Sequence, residues 1–277
     1  MILYRGHPML YTHKTLEYEF PLKDADVALL GIPFTSTETG LSVKHGPFFI
    51  REAIKNLPGF DPETGRNPFE DHKICDLGDV SVIPGSWKLT QQVIADTIKE
   101  MLEENKDIFP IFMGGEHLAS LGILRALAEK YDKITVIDFD AHRDLLKDWM
   151  GEPFSHITWA YHAVKELGIN LVQLGCRSWA EGEWEPFRER VKETMDGIGG
   201  PVYLTIDLDV LDPSVAPEVG TPEPNGMSQA EFFGLLKKVC RHKLIGMDVV
   251  ECASRQVGTR TALIAANIIK KVIVWRQ

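Results

Sequence analysis

Short apolar and β-branched runs alternate along this chain with amphipathic segments of helix length. This alternation is typical of βα units, whose strands lie parallel in one sheet. The predicted strands span residues 27–32, 73–76, 108–113, 134–139, 171–174, 202–208 and 244–250. The predicted helices span residues 48–56, 89–104, 118–131, 158–167, 183–195, 229–241 and 260–274. An open doubly wound sheet and a (β/α)8 barrel both agree with the pattern, which predicts an α/β fold.

The length of 277 residues suits one large α/β domain, and no linker, repeat or composition break divides the chain. We therefore expect a single domain over residues 1–277. The first residues, 1–13, lack a basic segment followed by an apolar one, so no secretory signal is expected. No apolar run approaches the ~18 residues of a membrane span. The four cysteines are single and widely spaced, which is typical of reduced thiols in the cytoplasm.

The charge balance bears on the class of ligand. Forty acidic residues against 30 basic ones give a formal net charge of −10, and we find no local basic patch. Nucleic acid is therefore not an expected partner, and a cationic ligand is favoured.

Acidic and histidine residues cluster directly after three of the predicted strands. The clusters are Gly114-Gly115-Glu116-His117, Asp140-Ala141-His142-Arg143-Asp144 and Asp207-Leu208-Asp209. In both candidate folds, ligand sites form at the carboxyl ends of the strands, where all three clusters fall. Asp140, His142 and Asp144 occupy alternate positions, so an extended backbone would project them to the same side. The two glycines before His117 allow a turn that brings its imidazole to the same point.

The residue types in these clusters indicate a metal site. Four carboxylates and two imidazoles without a thiolate favour a hard, higher-coordinate ion such as Mn²⁺ over structural zinc. Two divalent ions would balance the four aspartates, and ions ~3.5–4 Å apart can share a hydroxide that is a strong nucleophile at neutral pH. The clusters therefore predict a two-metal site and hydrolysis as the reaction class.

Two other classes of function use a similar ligand set. A di-metal phosphoesterase would need Arg or Lys to clamp phosphate oxygens, and only Arg143 and Lys147 lie near the clusters. A metal-binding protein without activity would bind metal and catalyse no hydrolysis.

Further motifs run through nearly the whole chain. They are Gly31-Ile32-Pro33, Gly46-Pro47 with Ile50-Arg51, Asp76-Leu77-Gly78-Asp79, Gly175-Cys176-Arg177-Ser178 followed by Glu183, Ile206-Asp207-Leu208-Asp209 with Leu211-Asp212-Pro213, Gly220-Thr221-Pro222-Glu223-Pro224 and Asp248-Val249-Val250-Glu251. With these motifs the chain resembles the ureohydrolase family of agmatinases, arginases and relatives, which release urea from a guanidino group. The resemblance implies a three-layer α/β/α domain with a mostly parallel sheet of about eight strands. It also implies a homo-oligomer, a trimer or a hexamer.

The resemblance also implies a role for each site residue. One Mn²⁺ ion would be held by His117, Asp140, Asp144 and Asp207. The second would be held by Asp140, His142, Asp207 and Asp209, so that Asp140 and Asp207 bridge the two ions. Glu251 would hold the substrate guanidinium, and His156, also at the substrate, would shuttle protons. Asp144 would in addition take a proton from the hydroxide and deliver it to the leaving amine.

Several positions depart from the family pattern. Glu116 stands where Asp is usual, Leu118 where Ser is common, and Ile157 where Gly often follows the histidine. At Leu146 arginase-like members carry an Asn that binds the amino acid end of arginine. An apolar side chain cannot bind a carboxylate, and the Thr-Pro-Glu-Pro string starting at Thr221 looks agmatinase-like.

We therefore expect hydrolysis of agmatine, a small cationic guanidino substrate, to putrescine and urea. Arginine, guanidinobutyrate, guanidinopropionate and formiminoglutamate remain alternative substrates. Arg177, Asp248 and Trp159 are interpreted as structural, and Arg143 receives no role.

Overall fold

The computed structural model describes residues 20–36 and 41–276, which carry one sheet of eight strands. The strands are β1 (Val27–Ile32), β2 (Ile74–Asp79), β3 (Phe109–Gly114), β4 (Thr135–Phe139), β5 (Asn170–Leu174), β6 (Val191–Lys192), β7 (Val202–Asp207) and β8 (Leu244–Val250). Their spatial order is β2-β1-β3-β8-β7-β4-β5-β6, and each neighbouring pair is parallel. Because β2 and β6 form two separate edges, the sheet is open and is not a barrel.

The predicted absence of a secretory signal concerns residues 1–13, which lie outside the described residues.

Helices cover both faces of the sheet. They are α1 (Gly46–Asn56), α2 (Pro68–Asp71), α3 (Trp87–Glu104), α4 (Leu118–Ala128), α5 (Trp159–Glu166), α6 (Gln229–Val239) and α7 (Arg260–Trp275). One buried cluster joins the sheet to α1, α6 and α7, and a second joins it to α3, α4 and α5. The strands β1, β3 and β7 are buried along their whole length, as expected for parallel strands covered on both faces. The predicted three-layer α/β/α architecture is confirmed.

Local capping fixes the starts of several helices. Ser228 and Glu231 form the predicted capping box at the start of α6. Ser86 and Thr259 cap α3 and α7 by accepting hydrogen bonds from backbone N–H groups of the first turn. Among the helices of the described residues, none is long and apolar enough to cross a membrane.

The helix predicted at 183–195 is wrong. This stretch contains a short 3₁₀ turn, Glu185–Phe187, and the two-residue edge strand β6. Phe187 and Val191 are four residues apart, a helical spacing, and both enter the core beside α5. Val191 nevertheless reaches that core as a strand residue paired with Leu171.

The strand order brings the predicted site together. Strands β3, β8, β7 and β4 are neighbours, and Met113, Val249, Ile206 and Phe139 lie in register near their carboxyl ends. The residues that follow these positions include all three metal-ligand clusters and Glu251. The clusters are therefore neighbours at one edge of the sheet, although they are far apart in the sequence.

Candidate metal centre

The six predicted metal ligands form one compact cluster. His117 Nδ1 lies 3.0 Å from Asp140 Oδ2, 3.3 Å from Asp207 Oδ2 and 3.6 Å from Asp144 Oδ2. His142 Nδ1 lies 2.9 Å from Asp209 Oδ2 and 3.5 Å from Asp140 Oδ1. Two groups of side chains could each hold an ion, and they share Asp140. The groups are His117, Asp140 and Asp144, and Asp140, His142 and Asp209.

Unpaired buried atoms show that the cluster suits a cation. Within residues 20–36 and 41–276, His117 Nδ1, Asp140 Oδ2 and Asp209 Oδ2 are buried and lack a hydrogen-bond partner. Buried polar atoms are nearly always paired, so three unpaired atoms in one cluster need an explanation. All three belong to predicted ligands. Divalent cations would satisfy them, and the residues present therefore fit the predicted metal ions.

The crowded carboxylates perturb one another. Burial raises the pKa of Asp207 well above its usual value, and the charges of Asp209 and Asp140 raise it further. Burial favours the neutral imidazole of His142, but the adjacent carboxylates of Asp140 and Asp209 outweigh it and raise the pKa of this histidine. Burial also favours the neutral imidazole of His117, but the adjacent carboxylates of Asp140 and Asp207 outweigh it and raise the pKa of His117. Protons and metal ions therefore compete for the same side chains.

Hydroxyl groups behind His117 fix its tautomer. Asp248 accepts hydrogen bonds from Tyr203 Oη at 2.7 Å, from Ser120 Oγ at 2.8 Å and from Thr205 Oγ1. Since the only proton of the Thr205 hydroxyl goes to Asp248, its oxygen accepts from His117 Nε2, 2.9 Å away. In the neutral imidazole, the Nδ1 atom of His117 then carries a lone pair that faces the carboxylates, as a metal ligand requires. Asp248 thus supports the site, a role that the sequence interpretation missed although a lone acid in an apolar strand needs a partner.

Glu251 and His156 lie at the same edge of the sheet. Glu251 Oε1 accepts a hydrogen bond of 2.9 Å from the backbone of His117, and Glu251 adopts a left-handed φ of 63°. Burial and the nearby charge of Glu116 raise the pKa of Glu251 to about 8. Burial lowers the pKa of His156, which also senses the charges of Glu116 and His142. A neutral imidazole therefore lies within electrostatic reach of the cluster.

Comparison with known proteins identifies the family. A family model described as the arginase family matches residues 25–274. The chain belongs to the arginase family. It is 33% identical to the N(1)-aminopropylagmatine ureohydrolase of Thermococcus kodakarensis, over 94% of this chain and 95% of that protein. It is 32% identical to the agmatinase of Pyrococcus horikoshii, over 96% of this chain and 98% of that protein.

A solved structure supports the same assignment. The agmatine ureohydrolase of Thermoplasma volcanium superposes with a TM-score of 0.84 at 25% identity, covering 97% of this chain and 95% of that chain. These comparisons confirm the predicted family and the enzyme class, an amidinohydrolase.

Arg143 of this family member anchors the loop between two predicted ligands. Its guanidinium carbon lies 4.5 Å from the ring centre of Trp179 and 4.3 Å from that of Trp184. Its guanidinium also forms an ion pair with Glu193. The next residue, Asp144, has a left-handed φ of 52°, a conformation that the surrounding structure must hold in place. Arg143 therefore supports the backbone of the ligand loop and does not clamp phosphate.

Two other positions shape the rim of the site. Glu116, the departure from the usual Asp, accepts hydrogen bonds from Thr35 Oγ1 at 2.9 Å and Ser36 N at 2.6 Å. Its longer side chain thus ties the loop after β1 to the metal centre. Arg177 donates to the backbone carbonyl of Asp209, just before the loop of residues 212–226, and to that of Pro224, near the end of this loop. This agrees with the structural role expected for Arg177.

Proposed function

We propose that this protein hydrolyses agmatine to putrescine and urea with two Mn²⁺ ions in the cluster. The observation that supports the proposal most is the convergence of four carboxylates and two imidazoles beside Glu251, a carboxylate suited to a guanidinium. The first ion would be held by His117 and Asp144, the second by His142 and Asp209, and Asp140 and Asp207 would bridge them. Bound there, the ions supply a water activated for attack at neutral pH.

Glu251 would orient the guanidinium. Its Oε1 atom is engaged by the backbone N–H of His117, which leaves Oε2 available for the substrate. Oε2 lies over Gly220, where the absence of a side chain leaves room for it. Burial of this carboxylate strengthens its attraction for a cation because water screens the charges less.

Asp144 and His156 would move protons. Asp144 would accept a proton from the attacking water and return it to the amine nitrogen as the C–N bond breaks. His156, with its lowered pKa, would be neutral at the start of the cycle and could accept and release a proton. One agmatine and one water molecule would thus give one putrescine and one urea.

The preference for agmatine depends on Leu146. This partly buried residue follows the ligand loop and offers no group to the carboxylate of arginine. Agmatine lacks that carboxylate, so its binding does not leave a charge unpaired. Arginine, aminopropylagmatine, guanidinobutyrate and formiminoglutamate are the substrates that compete with this proposal.

One substrate panel tests it. The Mn²⁺-loaded protein is incubated with each guanidino compound and assayed for urea, and with formiminoglutamate and assayed for formamide. A generic phosphate diester tests phosphoesterase activity, and the metal-stripped protein serves as the control. Faster turnover of any other substrate than of agmatine would contradict the proposal. In the matched variant Leu146→Asn, we expect the ratio of arginine to agmatine turnover to rise.

A further inference from the structure

Trp159 begins α5 and is fully buried beside the metal centre. Its Nε1 donates a hydrogen bond of 2.9 Å to Asp144 Oδ2. Its ring stacks on the imidazole of His117, with centroids 4.4 Å apart and planes 28° apart. The Trp159 side chain thus contacts His117 and Asp144, the two ligands that would bind the first ion and not the second.

The ligands that would serve the second ion alone have other neighbours. Asp209 Oδ1 accepts a hydrogen bond of 3.0 Å from the backbone of Ala141. His142 Nε2 lies 3.5 Å from Glu223 Oε1. A change at Trp159 should therefore act on one ion and spare the other.

We propose that Trp159 is a positioning residue that sets the affinity of the first ion, an inference that rests on the proposed two-metal site. Its N–H group orients the Asp144 carboxylate, and its ring fixes the plane of the His117 imidazole. Asp144 depends on such support because its backbone is left-handed, and the N–H of Tyr161 also holds its carbonyl, at 3.2 Å. Loss of contacts of this kind typically lowers metal affinity by about 10–100-fold.

A buried tryptophan also fills space, and this role must be separated from the hydrogen bond. Trp159→Phe keeps a stacked ring and most of the volume but has no N–H group. Trp87 is the matched control because it is buried in the same core cluster, 5.0 Å from the ring centre of Phe34. Among the described residues its Nε1 has no hydrogen-bond partner. Trp87→Phe therefore removes the same atoms without removing a contact to a ligand.

Mn²⁺ binding is measured on the metal-free full chain by the electron paramagnetic resonance signal of free Mn²⁺, which does not depend on turnover. We expect Trp159→Phe to weaken one of two Mn²⁺ sites by about tenfold and to leave the other within about twofold. Trp87→Phe should leave both sites as in the wild type. If Trp159→Phe does not fold, benzothienylalanine at position 159, with sulfur in place of the N–H group, gives the same test at constant shape.

The outcomes separate this proposal from the proposed function. Unchanged binding in the position-159 variant overturns the role of Trp159, as does equal weakening of both sites or weakening by Trp87→Phe. Wild-type protein that binds two Mn²⁺ ions but hydrolyses no guanidino compound contradicts the proposed function alone. Wild-type protein that binds no Mn²⁺ contradicts both.

Discussion

Gly220→Ala should impair the binding of a guanidinium without disturbing the metal centre. A Cβ atom at position 220 would lie 2.4 Å from Glu251 Oε2, whereas real Cβ atoms essentially never approach within 3.0 Å. The Glu251 carboxylate must therefore move by at least about 0.6 Å. Because the N–H of His117 holds its other oxygen at 2.9 Å, the carboxylate can only pivot away from its present orientation.

A displacement of about 1 Å in a catalytic site costs about 100-fold in rate. We expect kcat/KM for agmatine to fall by tens of fold to about 100-fold, a loss of about 2–3 kcal/mol in transition-state binding. Stability should change by less than about 1 kcal/mol, because the backbone of Gly220 does not have a positive φ. Mn²⁺ affinity should stay at the wild-type value, since Glu251 is not a predicted ligand.

The assay is steady-state urea release at saturating Mn²⁺, together with thermal unfolding. Gly234→Ala is the matched control because a Cβ atom there meets nothing within 4 Å. It should leave kcat/KM unchanged. A Gly220→Ala protein within about twofold of the wild-type kcat/KM would refute the argument that Glu251 needs this open space.

Four further changes test other parts of the site. Asp144→Asn should lower both Mn²⁺ occupancy and kcat, the latter by about 100-fold or more, and unchanged activity would refute the assignment of Asp144. Because the charge of Glu116 helps to raise the pKa of Glu251 to about 8, Glu116→Gln should lower that pKa. The Glu251 carboxylate must be ionised to hold a guanidinium, so the rising limb of kcat/KM against pH should move to lower pH, and an unmoved limb would contradict this coupling. Arg143→Met loses the ion pair and ring contacts of Arg143, worth about 1–2 kcal/mol, and calorimetry should show a Tm lower by about 2–6 °C. Chelation of the metal should lower Tm by about 5–10 °C because the ions bind only the folded chain, and Mn²⁺ should restore it.

The sequence predicted most of the fold because its strands are unambiguous. The strands β1 and β8 have the predicted boundaries, since β1 is a continuous apolar run and β8 is an apolar run interrupted only by Asp248. The edge strand β6 was missed because a run of two residues carries no periodicity, and Phe187 and Val191 imitate a helical spacing.

The sequence predicted the part of the site whose position is determined by the order of the strands. The ligand clusters lie at strand ends, where the sheet architecture brings them together. The contacts of Trp159, Gly220 and Asp248 were not predictable, because their partners are distant in sequence or depend on how the loops close over the strands. Thr205 and Asp248, for instance, meet across a separation of 43 residues.

The position of β8 has a consequence for biosynthesis. This strand, the last along the described chain, lies between β3 and β7 and alone joins the two halves of the sheet. A ribosome-bound chain that lacks β8 therefore has His117 on one half and the aspartates of β4 and β7 on the other, held together by packing such as the stack of Trp159 on His117 and not by strand pairing. The strand pairing that fixes the two halves relative to each other is complete only after translation has passed residue 250, so the site of the first ion should reach its final geometry late in synthesis.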